Sequence, residues 1–164
     1  MQFVFSTSQA KRYRFPTHVN DLVVDRADSR TSEVFIVVLE PGEAPPLHKH
    51  DDTEQVFYIL EGEGILRTGT RLYASGNGVK RQTQFRAKRK PLREHAVRTA
   101  DVIRIPPSVL HSIQCTGEKP LRYLAVDCFV GGRPEAEPTW DSHVKVLCRE
   151  RGWDYHRVVN PNPG

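Results

Sequence analysis

An all-β barrel with one C-terminal helix is the fold this sequence predicts, on three observations. Runs rich in Val, Ile, Phe and Tyr recur between Gly and Pro punctuation. Helical spacing of apolar residues is confined to one segment, near Trp140 to Arg151. The length, 164 residues, suits one domain with a full-sized core. The expected organisation is a single domain, 1–164, with a barrel core over about 20–130, a basic insertion over about 68–93 and a helix and tail over about 138–164.

From the N-terminus, Phe3 to Phe5 can form an edge strand and Leu22 to Val24 another, while RYRFPTHVN between them is too polar and turn-rich for a long element. Glu33 to Leu39 (EVFIVVL) is the strongest strand and is apolar on both faces. A strand over Val56 to Ile59 ends in the turn supplied by Gly62 and Gly64, and Gly64 to Arg67 begins the return. HAVRTADVIRI resumes the barrel, with a strand at Val102 to Ile105. Pro106 and Pro107 make a rigid turn before a strand opened by His111. Leu121 to Val130 is the last long strand and GGRPEAEP a linker. Thr139 then caps a helix in which Trp140, Val144 and Leu147 form a stripe expected to pack on the outside of the barrel, and Gly152 stops it.

The chemistry concentrates in GEAPPLHKHDDTEQVFYILEGEG. In extended chain alternate side chains share a face, so His48 and His50 can offer two imidazoles to one ion, with His111 as a third. These residues carry a family resemblance: the chain resembles a cupin. Gly42, His48, His50 and Gly62 fall in register with the first cupin motif, but Gln55 stands where the family usually has glutamate and Glu54 sits one position early. The second motif maps onto Ala100, Pro106, Ser108, His111 and Cys115, three of which depart from the family pattern, so it rests mainly on Pro106 and His111.

The resemblance implies a double-stranded β-helix, or jelly-roll, holding one divalent transition-metal ion (Fe, Mn, Ni, Co, Cu or Zn) on His48, His50, His111 and a fourth ligand. Parity favours Gln55, on the face of Phe57 and Ile59, and a one-residue register slip would substitute Glu54. Other small cupins, of the uronate-degradation and hydroxynitrile-lyase kinds, are similar in using His, His, Gln and His. His18, His95, His143 and His156 are read as ordinary surface or core histidines, and Cys115 as a small apolar filler. Candidate pocket residues are Phe57, Ile59, Arg104, Ile113 and Tyr123, with Glu33 a weaker one; no general base is nominated.

Neutral donors leave the ion's charge uncompensated, which suits a non-redox lyase or isomerase acting on a small, anionic, oxygen-rich substrate. The alternatives are a non-haem metal dioxygenase and a non-catalytic small-molecule-binding cupin. Acid should weaken metal binding as protons compete near the ordinary imidazole pKa of about 6.5.

Charge is uneven. Between Arg67 and Arg98 ten basic residues face one acid, Glu94, while the whole chain carries only +4. That segment can be a solvated loop, a cationic lid, or, with Phe85 as the aromatic interleaved in its densest basic run and no motif, less readily a nucleic-acid patch. No apolar run approaches the twenty residues of a membrane span and MQFVFSTSQAKRYRF lacks signal-peptide order, so the expected location is cytoplasmic. Three cysteines without CxxC spacing suit reduced thiols, and the Phe3 to Phe5 edge suggests a homodimer.

Overall fold

A computed structural model gives the structure of the protein and describes residues 2–69 and 91–160. Nine strands are β1 (Lys11–Phe15), β2 (His18–Val24), β3 (Ser32–Leu39), β4 (Thr53–Glu61), β5 (Glu63–Gly69), β6 (Arg93–Arg98), β7 (Val102–Ile105), β8 (Leu110–Cys115) and β9 (Leu121–Phe129), followed by helices α1 (Trp140–Arg151) and α2 (Tyr155–Val159). One sheet has the order β1-β2-β3-β9-β4-β7 and the other β6-β5-β8, with every pairing antiparallel. This is the double-stranded β-helix expected. The long crossovers that place β9 between β3 and β4 bring sequence-distant inner faces together, and β9 alternates buried and half-buried residues along its whole length. Leu39, Phe57, Ile59, Leu121 and Ala125 fill the interior.

The turn after β4 requires glycine. Gly62 has φ 84°, and a Cβ there would lie 2.6 Å from Pro120 O. Left-handed backbone also occurs at Ala100 (φ 75°) and Ser108 (φ 64°), the two positions where the second motif has glycine. The conformation persists although the residue has changed, at a steric cost of roughly 1 kcal/mol each. Ser108 recovers part of that by donating from Oγ to Asp51 Oδ1 at 2.7 Å; Ala100 has no such bond. Ala100→Gly is therefore expected to raise stability by about 0.5–1 kcal/mol, a gain of roughly 2–4 °C in Tm. An unchanged or lowered Tm in a thermal melt would show that Ala100 is unstrained.

The structure departs from the sequence expectations at four places. Phe3 to Phe5 forms no strand, and Phe3 and Val4 are both 83% exposed, so the homodimer expectation loses its stated basis. RYRFPTHVN is instead a hairpin, β1 and β2 around Pro16 and Thr17, so the sheet begins at Lys11 rather than near residue 20. Thr68, Gly69 and Arg93 belong to strands β5 and β6, and residues 70–90 of the basic insertion lie outside the described residues. Finally, α1 has its expected bounds, with a Thr139 capping box and Gly152 at φ 69°, but instead of lying on the outside of the barrel it lines the internal cavity, through Trp140, His143, Leu147 and Arg151. Trp140 sits 4.7 Å from Phe35 and 6.2 Å from Tyr13, ring to ring, and buries its large aromatic side chain to 3% exposure against them.

Candidate metal centre

The three histidines are gathered by one backbone bridge. His48 and His111 exchange hydrogen bonds (His48 N to His111 O, 3.2 Å; His111 N to His48 O, 2.8 Å), which zips the loop before β4 onto β8. Two residues on, Ser108 N donates to His50 O at 2.6 Å and fixes the second imidazole's backbone. His48 and His50 thus stand in a pinned loop, not in the extended strand the spacing suggested. One ring nitrogen from each of His48, His50 and His111 lies within 4.8 Å of the others, a group that could hold a metal ion.

Orientation is set by carbonyl groups. His48 Nδ1 donates to Pro46 O at 2.8 Å and His111 Nδ1 to Val109 O at 2.9 Å, which fixes a tautomer whose Nε2 keeps its lone pair for a metal. Burial lowers all three pKa values, that of His50 to about 3 and of His111 to about 4, with the neighbouring His48 adding to both shifts. The imidazoles are therefore neutral at neutral pH, the form in which they can bind a metal.

Gln55 is buried on the inner face with Phe57 and Ile59, as parity required. Its Nε2 donates to Asp127 Oδ1 at 2.8 Å, and its Oε1 is buried without a partner. An orphaned acceptor of this kind calls for a cation or a donor beside it. Glu54 faces the other way, bonded to Arg104 at 2.5 Å, and this ion pair removes both residues from the site. Arg104 as a pocket residue is thus a correction, with the same cause: alternation along β7 turns it outward. Phe57, Ile113 and Tyr123 line the cavity; Ile59 is fully buried in the core but does not.

That cavity, of about 130 Å³, runs from the histidines to α1. Its wall includes residues the sequence reading set aside. His18 is buried, with its pKa lowered to about 3 by burial and by His48, and stacks on Phe15 at 4.7 Å. His143, bonded to Glu137 at 2.5 Å, comes from α1. Glu33, Asp127 and Gln55 form a polar row across β3, β9 and β4, because Asp127 is in register with both of the others. Arg26 anchors the row with two bonds to Glu33, at 2.6 and 2.8 Å. Burial, reinforced by the Glu33 charge, pushes the Asp127 carboxyl far above the usual carboxylate range. Inward parity along β2 and β3 was the available signal for Asn20 and Glu33; nothing local in the sequence marks the helix residues.

The family model for the cupin domain matches residues 35–78, the segment that contains His48, His50 and Gln55. Over that segment the chain matches the cupin domain, and its fold is that of cupin structures. An uncharacterized protein of Methanocaldococcus jannaschii is 28% identical over 87 residues, 53% of this chain and 52% of that protein, so the chain spans about half the length of this curated relative. Among solved structures, a predicted oxalate decarboxylase of Thermotoga maritima superposes with TM-score 0.59 at 21% identity, over 77% of this chain and 99% of that one. The polyketide cyclase RemF of Streptomyces resistomycificus gives TM-score 0.57 at 18% identity, over 82% and 83%. At these identities the chain shares a fold with them. No helix among its described residues is long and apolar enough to cross a membrane.

Proposed function

We propose that this cupin is a metal-dependent enzyme, a non-redox lyase or isomerase, whose one divalent transition-metal ion is held by His48, His50, His111 and Gln55. The observation that carries the reading is the convergence of three neutral imidazoles within 4.8 Å beside an unpartnered Gln55 Oε1. The donor set fits a borderline divalent ion such as Zn, Ni, Co, Cu or Fe. When bound, that ion supplies Lewis acidity toward a carboxylate, enolate or carbonyl oxygen, undiminished by any anionic ligand.

The chain's own residues supply the rest. Asp127 accepts from the Gln55 amide nitrogen and so leaves the amide oxygen as the atom available to a metal. Pro46 and Val109 carbonyls hold the imidazoles of His48 and His111 in ligand orientation. Phe35, Phe57 and Ile113 exclude water from the cavity floor, which strengthens every electrostatic contact there. Glu33 and Asp127 give the cavity the carboxyl groups that acid–base work needs.

Gln55→Glu and Glu54→Gln test this pair of assignments by metal titration and turnover. Gln55→Glu keeps the side chain's reach and adds an anionic ligand, so metal should bind about tenfold tighter while kcat falls. Glu54→Gln should change affinity less than about twofold, since it removes an exposed ion pair. The converse result, with metal lost in Glu54→Gln and unchanged in Gln55→Glu, would place the carboxylate in the site. Tighter metal in Gln55→Glu, with no turnover of any sugar acid or phenol offered to the parent protein, would favour a binding module.

A further inference from the structure

Among the described residues, three buried side-chain atoms lack a hydrogen-bond partner: Gln55 Oε1, Asn20 Oδ1 and Trp140 Nε1. All three residues line the same cavity, although they come from β4, β2 and α1. Buried polar atoms are nearly always satisfied, so their convergence marks a place where something else completes the bonding. Gln55 is accounted for by the proposed metal. Asn20 Oδ1, on a residue 6% exposed, wants a hydrogen-bond donor, and Trp140 Nε1, on a residue 3% exposed, wants an acceptor.

The cavity also fixes size and charge. About 130 Å³ is close to the roughly 150 Å³ that accommodates benzene in an engineered cavity, so a single ring fits and a long chain does not. Phe35, Phe57, Tyr123, Trp140 and Trp153 make its walls aromatic, which suits a flat ring. At the α1 end stands Arg151, exposed yet lining the cavity, and it makes no ion pair among the described residues. The other charged groups at this wall are engaged: His143 with Glu137, Glu33 with Arg26. A lone guanidinium at the mouth of an apolar cavity is a carboxylate anchor.

We infer that α1 is the selecting wall of the cavity and that its ligand is a hydroxylated monocyclic carboxylate: hydroxyl to Asn20 Oδ1, a ligand oxygen to Trp140 Nε1, carboxylate to Arg151. This deepens the proposed function and rests on it only for the metal end of the cavity. It narrows an oxygen-rich anion to a ring acid.

The test is calorimetric titration of the full chain, loaded with Zn²⁺, with 3,4-dihydroxybenzoate, catechol and gluconate. The parent protein should bind dihydroxybenzoate about tenfold tighter than catechol and should bind gluconate most weakly. Arg151→Gln, at an exposed helix end, should erase the preference for the carboxylate while leaving catechol affinity unchanged. Arg151→Lys should restore part of it. Equal affinity of the two ring probes, equal weakening of both by Arg151→Gln, or gluconate binding best would overturn the inference. Elemental analysis separates this from failure of the metal reading. If no Zn²⁺ is taken up, the same titrations on the metal-free chain still decide the Arg151 anchor: a carboxylate preference lost in Arg151→Gln supports it, and no preference or no binding overturns it.

Discussion

Replacing Arg26 with alanine is expected to cost about 3–5 kcal/mol of stability, because it breaks the most buried ion pair among the described residues. Arg26 and Glu33 are 4% and 1% exposed and are joined by two parallel hydrogen bonds. Removing the guanidinium leaves the Glu33 carboxylate buried beside Asp127 with no compensating charge. It also removes packing, since the guanidinium lies 5.2 Å from the Phe129 ring and 5.9 Å from that of Trp140. The double replacement Arg26→Met with Glu33→Leu should recover most of the loss, because then no charge is stranded. Urea denaturation of the three proteins measures both effects. A loss below about 1 kcal/mol in Arg26→Ala would mean that water in the cavity solvates Glu33. The same anchor bears on the site, since Glu33, Asp127 and Gln55 are neighbours across three strands.

Much of this arrangement is legible in local pattern. The period of two along β4 separated Gln55 from Glu54, and the structure puts them on opposite faces, one orphaned inside and one paired with Arg104 outside. The helix was readable because its caps and its 3.6-residue stripe are local features. Its docking was not, because that depends on Trp140 meeting Phe35, a contact between residues about a hundred positions apart. The first hairpin was missed because Arg12 and Arg14 mask the alternation of Tyr13 and Phe15, each 1% exposed. Its second strand then carried His18 and Asn20 into the cavity unnoticed. At Ala100 and Ser108 the letters of the second motif have changed and the left-handed backbone has not, a conservation of conformation that a residue pattern cannot display.

His111→Ala should purify with less than a tenth of the parent protein's metal and bind added Zn²⁺ at least about 100-fold more weakly, with His48→Ala and His50→Ala alike, since each removes one donor from the proposed four-donor site. The pH behaviour distinguishes a buried site from an exposed one. A solvated trio would release metal around pH 6.5, the ordinary imidazole value. Here the folded-state pKa values lie below that, at about 3 for His50 and about 4 for His111 because of burial, so protons compete weakly and metal should be retained below pH 6. The same depression has the opposite consequence for the metal-free fold. Unfolded histidines take up protons below about 6.5 while these do not, so the stability they contribute is fully present above that pH and is lost as pH falls toward 4. Metal-free protein should therefore show a urea midpoint that drops between pH 6.5 and 4, and His111→Ala should show a shallower drop by one proton's worth. Release of metal centred at or above pH 6.5, together with a flat urea midpoint, would mean that water reaches all three rings and that the loop from His48 to His50 opens from β8 in solution.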